Sequence, residues 1–78
     1  MTKNNRATSA QEVVRAWAIE HGYSGKCDAH LAPTVDHKIL ITAVDSTDWL
    51  ELPGDDPGQP ISRAERERIA DWLKTKFS

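Results

Sequence analysis

The sequence contains few of the residues that cross-link a chain or anchor it in a membrane. Cys27 is the single cysteine among 78 residues. It excludes an internal disulfide and favours a reducing compartment. No apolar run approaches the roughly 20 residues of a membrane-spanning helix, and the first residues include no secretory apolar segment. These absences predict a cytoplasmic protein without membrane contact.

Motifs for catalysis and cofactor binding are also missing. The sequence has no glycine-rich phosphate loop, no Walker-type lysine and no nucleophile elbow. The glycines of the segment PGDDPG flank Asp55 and Asp56, and these carboxylates would repel a phosphate. Adjacent aspartates in a loop have no pocket to raise the pKa of one of them. We therefore expect no enzymatic activity and no cofactor.

A metal site formed by Cys27, His30 and His37 is the strongest alternative based on ligand chemistry. Thiolate and imidazole are good zinc ligands. However, residues three apart on a strand point to opposite faces, so Cys27 and His30 would diverge. A second close pair of ligands is missing. The spacing therefore predicts a structural cysteine and surface histidines, with no metal.

The negative charge is concentrated in the middle of the chain. The net charge is only −2, but residues 26–56 contain two lysines against seven carboxylates, a local charge of −5. Five of the carboxylates surround Trp49 within residues 45–58. The basic residues of the C-terminal segment alternate with acidic ones, which weakens any continuous positive stripe. This charge balance argues against nucleic-acid binding as the main function.

The first helix is predicted over residues 10–21. Ser9 followed by Glu12 forms a capping-box pattern, and apolar residues then recur at helical spacing until Gly22. Residues 1–8 are polar and lack periodicity, so they are predicted to form a flexible N-terminus. The single folded domain is accordingly predicted over residues 9–78.

The second helix is predicted over residues 62–77. Ser62 and Glu65 form another capping box, directly after Pro60. Trp17 of the first helix and Trp72 of the second lie within the apolar stripes. We therefore expect both tryptophans to be largely buried in the core.

Between the helices the apolar pattern changes to a period of two, which is typical of strands. Three strands are predicted, over residues 27–32, 38–44 and 48–52. The expected fold is α+β with the order α-β-β-β-α. In this fold two helices pack on one face of a three-stranded antiparallel sheet.

A four-residue turn over Asp45–Asp48 would place Ile41 opposite Leu52 and Ala43 opposite Leu50, and residues directly opposite share a face. The core face then carries Ile39, Ile41, Ala43, Leu50 and Leu52. The other face carries Leu40, Thr42, Val44, Trp49 and Glu51, with Asp28 and His30 from the first strand. Such an amphiphilic face with an aromatic side chain is typical of a protein-binding surface.

The main functional hypothesis is a non-enzymatic protein that binds a partner with a basic surface. The predicted contact residues are Trp49, Asp45, Asp48, Glu51, Asp28, His30, Asp55 and Asp56. An acidic surface can compete with nucleic acid for a basic groove. Small phage-encoded inhibitors of bacterial defence complexes, including anti-CRISPR proteins, have this size and lack of chemistry, although no motif is shared. The alternatives are a nucleic-acid binder that uses the basic C-terminal helix, and a structural or assembly protein, either monomeric or dimeric through the open sheet face.

Overall fold

The computed structural model describes residues 4–33 and 37–78. In this part of the chain the order is α1 (Asn5–His21), β1 (Cys27–Leu31), β2 (Ile39–Ala43), β3 (Leu50–Leu52) and α2 (Arg63–Lys76). The strands form an antiparallel sheet in the order β1-β2-β3. Helix α1 contacts β1 and β2, whereas α2 contacts β2 and β3. The predicted α+β architecture is confirmed.

Helix α1 begins at Asn5, five residues before the predicted start. The Asn4 side chain caps it by accepting a hydrogen bond from the Ala7 amide at 2.9 Å. The free amides of Asn5 and Arg6 donate to the Pro57 carbonyl at 2.7 and 3.4 Å. The predicted start of the first helix at residue 10 was therefore wrong, because a distant loop supplies an acceptor that the first turn requires. Residues 1–3 of the predicted flexible segment lie outside the described residues.

Helix α2 begins as the sequence predicts. The Ser62 hydroxyl accepts from the Glu65 amide at 3.2 Å, and the Glu65 carboxylate accepts from the Ser62 amide at 2.9 Å. This reciprocal pair is a complete capping box. The observed bounds, Arg63–Lys76, lie within one residue of the predicted ones.

The core is built from small residues of α1 and branched residues of the sheet and α2. The fully buried side chains include Ala10, Val14, Ala18, Ile39, Ile41, Leu52, Ile69 and Leu73. Trp17 and Trp72 are only partly buried and pack against the outside of this cluster. The expectation that both are core residues was wrong, since both lie at the margin of the core; on α1 the buried apolar stripe consists of Ala7, Ala10, Val14 and Ala18. Trp17 instead stacks on Tyr23, with ring centroids 5.8 Å apart.

The register between β2 and β3 differs from the prediction by two residues. Ile41 lies opposite Leu50, and Ile39 lies opposite Leu52. The connection over residues 44–49 is longer than the predicted turn, and Asp45 adopts a left-handed conformation with φ 65°. A shift of two residues leaves every side chain on its predicted face, because the side-chain period of a strand is two. Leu50 is partly buried, and the other four predicted core-face residues are buried.

The N-terminal part of α1 forms hydrogen bonds and an ion pair that anchor the segment between β3 and α2. Arg6 donates through Nε to the Pro53 carbonyl at 3.1 Å and forms an ion pair with Glu65. The two paired side chains are 9% and 14% exposed. The buried Ser9 hydroxyl accepts from the Ile61 amide at 2.9 Å. We call Arg6, Ser9, Pro53, Ile61 and Glu65 the clasp.

Candidate functional site

The face of the sheet opposite the helices is uncovered in the described residues. We define the open face as the outward-pointing residues of the three strands with Trp49, which precedes β3: Asp28, His30, Leu40, Thr42, Trp49 and Glu51. On this face Asp28 lies opposite Thr42, and Leu40 lies between His30 and Glu51. The sequence prediction therefore placed these six residues on the correct side of the sheet.

Trp49 is the large exposed aromatic residue of this face. It is 53% exposed, and its indole N–H donates to the Glu51 carboxylate at 3.2 Å. This bond restricts the ring to an orientation in which much of its apolar surface meets solvent. Such a side chain gains free energy when a partner removes it from water.

At the β1 side of the open face, Asp28 is held by Arg15 of α1. The guanidinium Nε and Nη2 donate to the two carboxylate oxygens at 3.2 and 3.1 Å. Partial burial is the largest single influence and raises the pKa of Asp28, but the bonds from Arg15 and the Ala29 amide outweigh it, so the pKa is lowered. His30 lies beside it and contacts the Thr42 hydroxyl at 3.2 Å.

Two of the acidic residues near Trp49 are also paired with lysines. Lys76 Nζ contacts Asp48 at 2.6 Å, and the hydrogen bonds from Lys76 and Ser46 lower the pKa of Asp48. Lys38 lies 3.8 Å from Glu51, and both side chains are about half exposed. Consequently this end of the protein is amphiphilic with mixed charge. It is not the uniformly negative surface that the sequence suggests.

Asp55 and Asp56 lie far from the other predicted contact residues. They are exposed in the connection before α2, where Pro57 contacts the first turn of α1. Asp45 and Asp48 lie at the other end of β3, beside residues that follow the last turn of α1. A helix of 17 residues is about 25 Å long. The acidic segment is therefore divided between the two ends of the domain.

The residues of the rejected metal site diverge as predicted from their spacing. Cys27 is buried on the core side of β1, whereas His30 is exposed on the open face. Burial, with a smaller effect of Asp28, raises the pKa of the Cys27 thiol. Among residues 4–33 and 37–78, no group of three or more His, Cys, Asp or Glu side chains is arranged to hold a metal ion.

One surface feature escaped the sequence analysis. Ile19 is 70% exposed and Val44 is 52% exposed, and both line a shallow depression of about 540 Å³ between α1 and the sheet. Arg15 and Lys26 also line it. The position of Ile19 outside the apolar stripe of α1 is the signal that could have identified it.

The comparisons with known proteins leave the function to be argued from this surface. The chain matches no protein-family model, no curated protein and no solved structure. Within the described part of the chain, neither helix has the length and apolar character required to cross a membrane.

Proposed function

We propose that this is a non-enzymatic binding protein that docks a protein partner on the open face. The observation that carries the proposal is the exposed indole of Trp49, which bonds to Glu51 on a sheet face that neither described helix covers. Binding hot spots are enriched in tryptophan, and a centrally buried one contributes about 2 kcal/mol or more. Leu40 and Thr42 beside it add partly buried, uncharged area.

The partner is proposed to present basic side chains to this face. Glu51 is exposed and bonds to Trp49, and Asp45 is exposed in the connection that precedes Trp49. The pair between Glu51 and Lys38 is long enough for an incoming cation to compete with it. Because Asp28 and Asp48 already have basic partners, we expect charge to steer association and Trp49 to supply most of the affinity. Asp55 and Asp56 are too distant to share the same contact.

The finer role is inhibition by occupation of a basic groove that otherwise receives nucleic acid. The small size of the domain and the exposed carboxylates of Asp45, Asp48 and Glu51 at one end of the sheet support this role. A phage-encoded inhibitor of a bacterial defence complex is the class of protein that combines these properties, and we propose a cytoplasmic site of action for it.

The basic side chains of α2 support the alternative function, nucleic-acid binding, less strongly than the open face supports protein binding. Arg63 lies 3.5 Å from Glu67, and Lys76 contacts Asp48. These pairs interrupt the positive surface of α2, which a phosphate backbone would need to be continuous.

The experiment is capture from a bacterial lysate, with nuclease treatment of the bound material. We expect a protein that survives nuclease treatment and whose retention falls in Trp49→Ala. Ile19→Ala is the matched control, since it truncates an even more exposed apolar residue on α1. Equal retention by wild type and Trp49→Ala would refute the proposal, and nuclease-sensitive retention would favour nucleic-acid binding.

The role of charge is tested by neutralising Asp45, Asp48 and Glu51 together. We expect association to slow and its salt dependence to flatten, because exposed charges are screened beyond about 8 to 10 Å at physiological ionic strength. Neutralising Glu12, Glu20 and Asp71, three exposed carboxylates of the helices, is the control and should leave both quantities unchanged. If the control triple has the same effect, only net charge matters and the open face has no special role.

A further inference from the structure

The two edges of the sheet differ in whether the main-chain groups of the central edge residue, Ala29 in β1 and Glu51 in β3, are occupied. In an antiparallel ladder, hydrogen-bonded pairs alternate with non-bonded pairs. The amides of Ala32 and Val44 donate to the carbonyls of Lys38 and Lys26, each at 2.8 Å. By alternation, the amide and carbonyl of Ala29, in the middle of β1, point away from β2.

Side chains close this β1 edge. The Ala29 amide donates to the Asp28 carboxylate at 2.8 Å, and the Ala29 carbonyl accepts from Gln11 Nε2 of α1 at 3.0 Å. Arg15 holds Asp28 in place. An added strand would have to displace the Asp28 and Gln11 side chains to pair with Ala29, so the centre of β1 is protected against strand addition.

The β3 edge has the opposite character. By the same alternation, the main-chain amides and carbonyls of Ile39 and Ile41 point toward β3. Their partners in β3, Leu52 and Leu50, are therefore the residues that form main-chain hydrogen bonds with β2. The amide and carbonyl of Glu51 therefore point outward. Among residues 4–33 and 37–78, no side chain or main chain bonds to either group. The open edge ends at Pro53, whose carbonyl is occupied by Arg6.

We infer that β3 accepts an extended basic segment of the partner as a fourth strand. The inference rests on the proposed function and specifies how the partner docks. A residue of the added strand that lies opposite Glu51 shares the open face with it. Lysine or arginine at that position would pair with the Glu51 carboxylate, and neighbouring cations would meet the Trp49 ring, which attracts them through its π face.

Charge argues against a second copy of this chain as the occupant. In the register that pairs the whole of β3 with itself, Leu50 lies opposite Leu52 and the two Glu51 carboxylates lie opposite each other. Like charges directly opposite destabilise a strand pair. A basic segment from another protein avoids this repulsion.

The probe is a synthetic peptide of about six residues that alternates threonine and lysine. A second peptide has glutamate in place of lysine, and a third has the lysine sequence with N-methylated main-chain amides. Amide hydrogen exchange of Glu51 is followed by NMR with each peptide. With the lysine peptide at saturation, we expect Glu51 exchange to slow by about tenfold, which corresponds to about 1.4 kcal/mol. The Ala29 amide should not change, and the other two peptides should not slow Glu51.

Glu51→Pro and Glu51→Gln separate the main chain from the side chain. Proline removes the outward amide without removing a bond of the β2–β3 ladder, whereas glutamine keeps the amide and removes the charge. We expect Glu51→Pro to bind the lysine peptide at least about tenfold more weakly than Glu51→Gln. If the proline variant does not fold, the N-methylated peptide performs the same test on the wild-type protein.

Three results would overturn the inference. NMR chemical-shift changes at His30, Leu40 and Thr42 without slower amide exchange at Glu51 would mean that the peptide docks on the open face and does not pair with β3. The proposed function would then remain. If, without peptide, amide exchange at Glu51 became slower as the protein concentration increased, a second copy of the chain would be the occupant. No response to the lysine peptide would exclude strand addition at β3, while lysate capture with Trp49→Ala would still decide the proposed function.

Discussion

The two halves of the acidic segment have opposite surroundings. Residues 44–49 connect β2 to β3 at one end of the sheet, where Asp45 and Trp49 are exposed to solvent. Residues 53–61 are anchored to α1 by the clasp. Arg6 and Ser9 of α1 form hydrogen bonds there with Pro53, Ile61 and Glu65, which lie more than 45 positions away in the sequence. Two segments of similar composition therefore differ in their structural surroundings: the first is the one proposed to bind a partner, and the second is anchored to α1. The four predictions below test this division, in order of decreasing effect on stability.

Arg6→Ala should have the largest effect. It leaves the mostly buried Glu65 without its cation and the Pro53 carbonyl without its donor. Removing one partner of a buried ion pair costs roughly 3 to 5 kcal/mol, so the urea midpoint should fall sharply. Arg15→Ala is the matched control, because it breaks an exposed pair with Asp28 and should leave the midpoint nearly unchanged. If the urea midpoint fell equally in Arg6→Ala and Arg15→Ala, the buried ion pair of the clasp would stabilise the fold no more than an exposed pair.

Ser9→Ala should have an intermediate effect. The variant deprives the buried Ile61 amide of its acceptor, and an unsatisfied buried donor costs about 1 to 3 kcal/mol. Thr8→Ala, one position earlier in α1, removes a hydroxyl that donates to the carbonyl of Asn4, the N-cap of the same helix. We expect a clearly larger loss of unfolding free energy for Ser9→Ala. A smaller loss than in Thr8→Ala would mean that the serine contact does not anchor the connection.

Acidification should weaken the clasp through Glu65. Burial is the largest single influence and raises its pKa, but the hydrogen bonds from Arg6 and from the Ser62 amide, with the charge of Arg6, outweigh it. The pKa of Glu65 therefore lies below its ordinary value of 4.5. A carboxyl with a lowered folded pKa contributes stability above its unfolded pKa, and this contribution is lost as the pH falls through the folded pKa.

Urea denaturation as a function of pH measures this contribution. Glu65→Gln should be less stable than wild type at neutral pH, and the difference should shrink as the pH falls below 4.5. Glu67→Gln, on the same helix, provides the control for charge alone. A difference between wild type and Glu65→Gln that stays constant over this pH range would contradict the assignment.

Trp49→Ala should have the smallest effect on stability. The ring is exposed and bonds only to Glu51 in the described residues, so the urea midpoint should stay close to that of wild type. The same variant should chiefly speed dissociation of the partner, because loss of an interface contact acts mainly on the off-rate. A large loss of stability would mean that Trp49 stabilises the fold, and it would then not be a surface residue available to a partner.

The sequence was a sufficient guide wherever local patterns decide the structure. The capping box at Ser62 and the alternation in β2 predicted α2 and both sheet faces. The start of α1 required knowledge of Pro57, more than fifty residues away, because that carbonyl satisfies the first amides. The register required the length of a turn in which Asp45 adopts a left-handed conformation.

The site was predicted less completely than the fold. Alternation correctly identified Trp49 as a residue beside the open face. It could not reveal that Arg15, Lys38 and Lys76 lie against Asp28, Glu51 and Asp48, because each pair joins different elements or strands of the sheet. Charge counted along a sequence overstates the charge of a surface when the compensating cations come from elsewhere in the fold.

The side chains of Asp28 and Gln11 that occupy Ala29 also limit how this protein can polymerise. Growth of a fibril by strand addition requires two reactive edges on every subunit, one to accept a neighbour and one to offer to the next. Because the main-chain groups of Ala29, at the centre of the β1 edge, are occupied, we expect this edge to accept a strand less readily than the β3 edge, so edge pairing through β3 should stop at two molecules. High concentration of the folded protein should therefore favour dimers at most over open-ended fibres.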